Sequence, residues 1–283
     1  MGWFNRGPVV PVLRLSGAIG MAAPLRPGLS IASLAGPIEK AFSMSKAKSV
    51  AVVINSPGGS PVQSSLMFRR IRQLAEENDK KVYVFCEDVA ASGGYYLAVA
   101  GDEIYADASS IVGSIGVISA SFGLDKAIEK LGIERRVYTA GNHKGALDPF
   151  QPEKPDEIER LKAIQRSVHD VFIGVVKDRR LGRLKAPDSE LFSGAFWSAT
   201  EAQELGLIDG ITDVRTKMRE LHGEKVRLRV VPNERGWLAS RLKRVSLLLG
   251  GGSEAGGASQ GLAFADDLLS AVEIRALWSR FGL

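Results

Sequence analysis

The sequence predicts an α/β fold with a largely parallel sheet, and three observations carry that prediction. The strand candidates are continuous apolar runs, such as "VAVVIN" (50–55) and "VYVFC" (82–86), as strands buried on both faces are. Segments of helical periodicity alternate with those runs along most of the chain. Two strands open into helices through Gly-Gly turns, "SPGG" (56–59) and "AASGGYY" (90–96). In a parallel α/β sheet, functional loops lie at such carboxyl ends.

Taken in order, "VVPVLRLSGAIG" (9–20) alternates, is rich in β-formers, and reads as a first strand and turn. "LSIASLAGPIEKAFS" (29–43) is a helix candidate interrupted at Gly36-Pro37. "KSVAVVINSPGGS" (48–60) is a buried strand ending in a Pro-Gly turn. A helix follows over 62–78, with Leu66, Met67, Phe68, Ile71 and Leu74 toward the core. "KKVYVFCED" (80–88) is the next buried strand. A helix starts from Ser92, then come a strand at 102–107, the segment "SSIVGSIGVIS" (109–119), and a short helix at 123–132 closed by Gly132. "ERRVYTAG" (134–141) reads as a strand. The longest helix spans 154–182. Pro155 suits its first turn, acids crowd that turn, and bases crowd its end. Ile158, Leu161, Ile164, Val168, Val171, Phe172 and Val175 form its apolar face. "FWSATEAQELGLIDGI" (196–211) supplies a capping box from Ser198 to Glu201, a short helix and a strand.

Composition changes near residue 232, so a body over 1–231 is followed by three pieces. Residues 232–249 contain an amphipathic helix, 250–261 a Gly/Ser-rich linker, and 262–283 a C-terminal amphipathic helix. On the first helix, Trp237, Leu238, Leu242, Val245 and Leu249 share a side flanked by Arg241, Lys243 and Arg244. That pattern suits either packing on the body or lying in an anionic membrane interface.

The 283 residues are 45% hydrophobic and 24% charged, a globular composition. No run reaches the ~20 apolar residues of a membrane span. The N-terminus reads as neither a secretory signal nor a myristoylation site. The expectation is a cytoplasmic chain, with peripheral contact at the inner membrane face as its membrane option. A single cysteine, Cys86, rules out an internal disulfide and reads as inert core. The net charge of +5 comes from scattered bases, which reads as solvated surface rather than a nucleic-acid site. "GNHKGA" is no phosphate loop, no G-x-G-x-x-G follows a strand, and no His/Cys/Asp cluster has metal-ligand spacing. No cofactor and no metal are expected.

The chemistry concentrates at the two Gly-Gly junctions. Each offers backbone N–H groups that a ligand could approach, and two aimed at one point make an oxyanion hole. Ser92 stands immediately before one pair, so it is the candidate nucleophile, and a serine nucleophile needs a base. Of the three histidines, His169 sits inside the long helix and reads as surface or satisfied core. His222 reads as structural, and His143 lies beside Lys144 in "YTAGNHKGALDPF" (138–150). Lys144 can act as base if its surroundings lower its pKa from about 10.4 toward neutrality.

"INSPGGS", "ASGGYYLA", "IYADASSIVGSIGV", "HKGALDPF" and "AQELGLIDGI", in that order, resemble the signal peptide peptidase A family over about residues 9–230. The resemblance implies a ClpP/crotonase-like fold with repeated ββα units, and serine-peptidase activity. It implies a dyad of Ser92 and Lys144, oxyanion donors at Gly59 and Gly93, and a supporting hydroxyl at Ser114. It implies peptide substrates, signal-peptide remnants or unfolded segments. It also implies a homo-oligomeric ring, because the family draws serine and lysine from neighbouring copies. Many members carry an N-terminal membrane anchor and some have two tandem halves; neither feature is read in this chain. Two other functions stand beside this one: a crotonase-type acyl-CoA enzyme, and a non-catalytic membrane-associated scaffold. The first would leave Ser92 and Lys144 unexplained, and the second would not need to retain them.

Overall fold

The two most apolar runs lie side by side at the centre of the sheet. The computed structural model describes residues 7–21, 28–232, 272 and 274–282. Its strands are β1 (Val9–Ser16), β2 (Ser49–Ser56), β3 (Lys81–Ala91), β4 (Glu103–Ala106), β5 (Ile111–Gly113), β6 (Phe196–Ser198), β7 (Gly210–Ile211) and β8 (Arg227–Val230). They order as β6-β5-β3-β2-β1-β8, with β4 also on β3 and β7 on β4. The β5–β6 pair is antiparallel and the other pairs are parallel. This is the mostly parallel α/β architecture the sequence predicts.

The helices are α1 (Ile31–Ser43), α2 (Pro61–Glu77), α3 (Gly93–Ala98), α4 (Asp125–Lys130), α5 (Pro155–Arg179), α6 (Asp188–Leu191), α7 (Ala199–Glu204) and α8 (Val214–His222). Neighbouring residues of one strand serve opposite layers, as the pleat requires. Leu13, Val52 and Val84 pack with Ile38, Phe42, Met67, Ile71 and Leu97 from α1, α2 and α3. Val12, Val53 and Phe85 face the other way, toward Tyr105 and Met218 of α8. Both faces are covered, so the strands read as unbroken apolar runs. Cys86 is buried, and burial pushes its thiol up to about 12, in keeping with an inert core residue.

β3 serves two partners. Tyr83–Cys86 pairs with β4, whereas Val89–Ala91 pairs with β5. Against β2 the register jumps from Ile54 opposite Cys86 to Ser56 opposite Ala90. An irregularity of this kind bends a strand and re-aims the residue that follows it. Here that residue is Ser92.

Three expectations need correction or completion. α1 is not interrupted: it runs through Pro37, which is buried with Leu34, Ile38, Ala41 and Phe42. Burial of that face, together with the capping box at Ser30, offsets the roughly 3 kcal/mol an internal proline costs. Residues 134–141 form no strand, because among the described residues no other strand lies beside them to complete a ladder, and all eight are exposed. α5 buries only Phe172 and Val176, while Ile164 and Val171 are exposed. The helix expected near 237–249 and the linker at 250–261 lie outside the described residues. Of the terminal helix expected at 262–283, residues 274–279 are helical.

Candidate active site

Ser92 joins β3 to α3 with φ 52° and ψ −121°, a backbone conformation that a non-glycine residue adopts only when held there. Its N–H donates to the Gly113 carbonyl at 2.8 Å, and its carbonyl accepts from the Tyr96 N–H at 2.9 Å. α3 is buried along its whole length. The Tyr95 hydroxyl donates to the Leu207 carbonyl at 2.7 Å. The Tyr96 ring packs on Phe68 and Phe172, with centroids 5.5 and 5.0 Å away. The helix thus anchors the serine from behind, and the serine itself is half-buried at a cleft.

The glycines beside it are there for close approach. A Cβ on Gly94 would sit 2.5 Å from the Ser56 carbonyl oxygen, and one on Gly93 would sit 2.5 Å from Ser64 Oγ. Without side chains, α3 packs directly on the turn after β2. In that turn Gly59 has φ 137°. Ile19 bridges it in parallel fashion, donating to the Gly58 carbonyl and accepting from the Ser60 N–H, each at 2.8 Å. A residue bridged in this way points its own N–H to the opposite side. The N–H groups of Gly59 and Gly93 donate to no acceptor among the described residues. The Cβ position of Gly93 is only 3.4 Å from the Gly59 nitrogen, so the two unpaired donors are neighbours. Two such donors beside a hydroxyl form the arrangement that stabilises an oxyanion.

The cleft has two lobes that share Ser92, Gly116, Val117, Ile118 and Arg280. The larger, of about 600 Å³, is walled mainly by apolar groups, including Met21, Pro57, Pro61, Phe122 and Leu277. The smaller, of about 230 Å³, contains Ser114 and His169. Ser114 is buried with φ 53°, and its N–H donates to the Ala195 carbonyl at 2.7 Å. Ser92 and Ser114 thus line the smaller lobe, Ser92 and Gly59 the larger, and Gly93 lies beside Gly59.

Lys144 is not brought to them within one chain. It lies in an exposed turn and lines neither lobe, and His143 beside it is equally exposed. His222 sits elsewhere, with Nε2 3.0 Å from Ser49 Oγ. His169 is satisfied, as expected, with Nε2 2.9 Å from the Ile115 carbonyl, but it is also a cleft residue, which the sequence did not indicate. Arg280, Met21 and Phe122 were missed as well. They are 70 or more residues from Ser92 or belong to irregular segments, so no local pattern marks them.

A family model described as peptidase family S49 matches residues 75–227, more than half the chain. A Brucella abortus relative named "Na(+)/H(+) antiporter NhaA" is 54% identical over 275 residues, covering 97% of this chain and 37% of its own. "Serine protease SPPA, chloroplastic" of Arabidopsis thaliana is 35% identical over 219 residues, covering 70% of this chain and 32% of its own. "Putative signal peptide peptidase SppA" of Enterococcus faecium is 30% identical over 178 residues, with 63% and 51% covered. The chain thus spans about a third to a half of the length of these curated relatives. The antiporter name belongs to the Brucella protein, and no helix among the residues described here is long and apolar enough to cross a membrane. The family match extends from the end of α2 to β8 and includes Ser92, Ser114 and Lys144, so the chain belongs to peptidase family S49, the family of signal peptide peptidase A.

Proposed function

We propose that this chain is a serine endopeptidase acting through a Ser92–Lys144 dyad. The observation that carries the reading is a strained serine held beside two unpaired backbone donors, those of Gly59 and Gly93. Ser92 Oγ attacks the carbonyl carbon of the scissile bond while the neutral Lys144 amine takes its proton. The N–H groups of Gly59 and Gly93 receive the developing oxyanion, typically worth about 3 kcal/mol per donor. Collapse breaks the C–N bond, and the lysine proton passes to the leaving amine. Water then attacks the acyl-serine ester, giving up a proton to Lys144, and Ser92 Oγ is released with it. The Ser114 hydroxyl, in the smaller lobe, orients the amine. An acyl-CoA enzyme would have no use for a serine strained in this way.

Lys144 comes from a neighbouring copy in a homo-oligomeric ring. The exposed 133–147 segment supports this: it joins no strand among the described residues, with Tyr138 91% and Ile133 55% exposed. Such a segment gains a ladder and apolar cover only from another chain. Substrates are extended peptides, with signal-peptide remnants or unfolded segments as the class. The test is labelling with a fluorophosphonate: the full chain should be modified at Ser92, and Ser92→Ala should not. An unlabelled chain that turns over an acyl-CoA would replace the reading with the crotonase one.

A further inference from the structure

The C-terminal residues return to the cleft. Phe281 is buried against Val89 and Ala91 of β3, three residues and one residue before Ser92, and its ring meets that of Phe196 at 5.2 Å. Trp278 packs at the edge of the same cluster. This anchor sets Leu277 and Arg280 on the cleft wall, and Arg280 lines both lobes, on either side of Ser92.

Among the described residues, Arg280 is the only Lys, Arg, Asp or Glu that lines either lobe. His169, the other titratable group there, is engaged with the Ile115 carbonyl. Among the described residues Arg280 has neither an ion-pair nor a hydrogen-bond partner. A guanidinium is always charged and offers a planar fork of donors that matches a carboxylate. The larger lobe beside it is mainly apolar, so a carboxylate reaching Arg280 would be flanked by aliphatic and aromatic walls.

We propose that Arg280 is a specificity residue that binds a carboxylate of the peptide close to the scissile bond. The substrate class is then an apolar peptide bearing either an acidic side chain or a free C-terminus near the cut. The proposal rests on Ser92 being the reacting residue, and its test separates the two claims.

The test measures binding of labelled apolar peptides to the full chain carrying Ser92→Ala, by fluorescence anisotropy, so that no turnover is needed. One peptide pair differs by an internal Glu against Gln with an amidated end. A second pair differs by a free acid against an amide at the C-terminus. In at least one pair the acid should bind about tenfold more tightly, as a charge-assisted hydrogen bond at a partly exposed site allows. The pair that responds identifies the source of the carboxylate. Adding Arg280→Gln should reduce the preference to near unity, and Arg280→Lys should retain part of it. Phe281→Ala, which removes the anchor, should weaken it too. Equal binding of acid and neutral peptides overturns the proposal, as does a preference that survives Arg280→Gln, or no binding of any peptide. Fluorophosphonate labelling with intact Ser92 is read separately. A labelled serine without carboxylate preference sinks the role of Arg280 alone, and a preference without labelling sinks the nucleophile alone.

Discussion

Adding one methyl at Gly93 distinguishes a packing role from a catalytic one. The backbone of Gly93 is not in the left-handed region, so alanine is tolerated conformationally. Its Cβ would lie 2.5 Å from Ser64 Oγ, 3.2 Å from Ile19 Cδ1 and 3.4 Å from the Gly59 nitrogen. The first contact is a clash that the core must absorb, at a cost of about 1–3 kcal/mol. The third matters for chemistry, because the methyl fills space through which an oxyanion would reach the Gly59 N–H. Loss of one such donor lowers kcat by roughly a hundred- to a thousandfold. The two effects can be separated with Ser64→Ala. That change removes Oγ and its hydrogen bond to the Ser60 carbonyl, 2.9 Å long, at a cost of about 1 kcal/mol. The Ser60 carbonyl still accepts from the Ser64 N–H. Gly93→Ala with Ser64→Ala should therefore regain stability against denaturant relative to Gly93→Ala alone. Hydrolysis of a fluorogenic peptide should stay depressed in both. If the double variant recovers hydrolysis along with stability, Gly93 matters only for packing and the oxyanion assignment fails.

Three further outcomes are expected. Ser92→Ala and Lys144→Ala chains should each be inactive, and mixing them under conditions of subunit exchange should restore activity at interfaces that pair an intact serine with an intact lysine. Absence of recovery would mean that sites are not shared. Burial holds the His222 imidazole below its ordinary value of 6.5. The unfolded chain therefore binds a proton that the folded chain resists, so stability is full above about pH 6.5 and declines as pH falls below it. His222→Gln should flatten Tm against pH in that window, and an unchanged slope would assign the decline to other groups. Asp209 pairs with the buried Arg180 guanidinium at 2.8 Å and accepts from the Ile104 N–H at 2.7 Å. Removing one partner of such a pair costs about 3–5 kcal/mol, so Asp209→Ala should lower the denaturation free energy by that order. A loss below about 1 kcal/mol would mean that Arg180 is solvated on its own.

Layer architecture was legible from the chain alone because the signals are local. Apolar runs such as Val50–Ile54 mark strands covered on both faces, and Ser198 with Glu201 marks a helix start. The Gly-Gly pairs after β2 and β3 located the candidate oxyanion donors, since only a residue without Cβ fits where Ser56 and Ser64 press on α3. Local signals also misled. Pro37 reads as a break but is carried inside α1 by the core it helps to fill. Residues 134–141 have strand character, yet a strand exists only when a second chain segment supplies its ladder. The tertiary structure alone decided what is adjacent across long separations. It set the register jump that aims Ser92, brought His169 to the cleft, and returned Phe281 to β3 and Arg280 to the cleft from the far end of the chain. It also left Lys144 away from Ser92 within a single chain. Periodicity reports which face of an element is apolar. Which distant surface covers that face depends on how the whole sheet twists and closes, and that is not written in any short stretch.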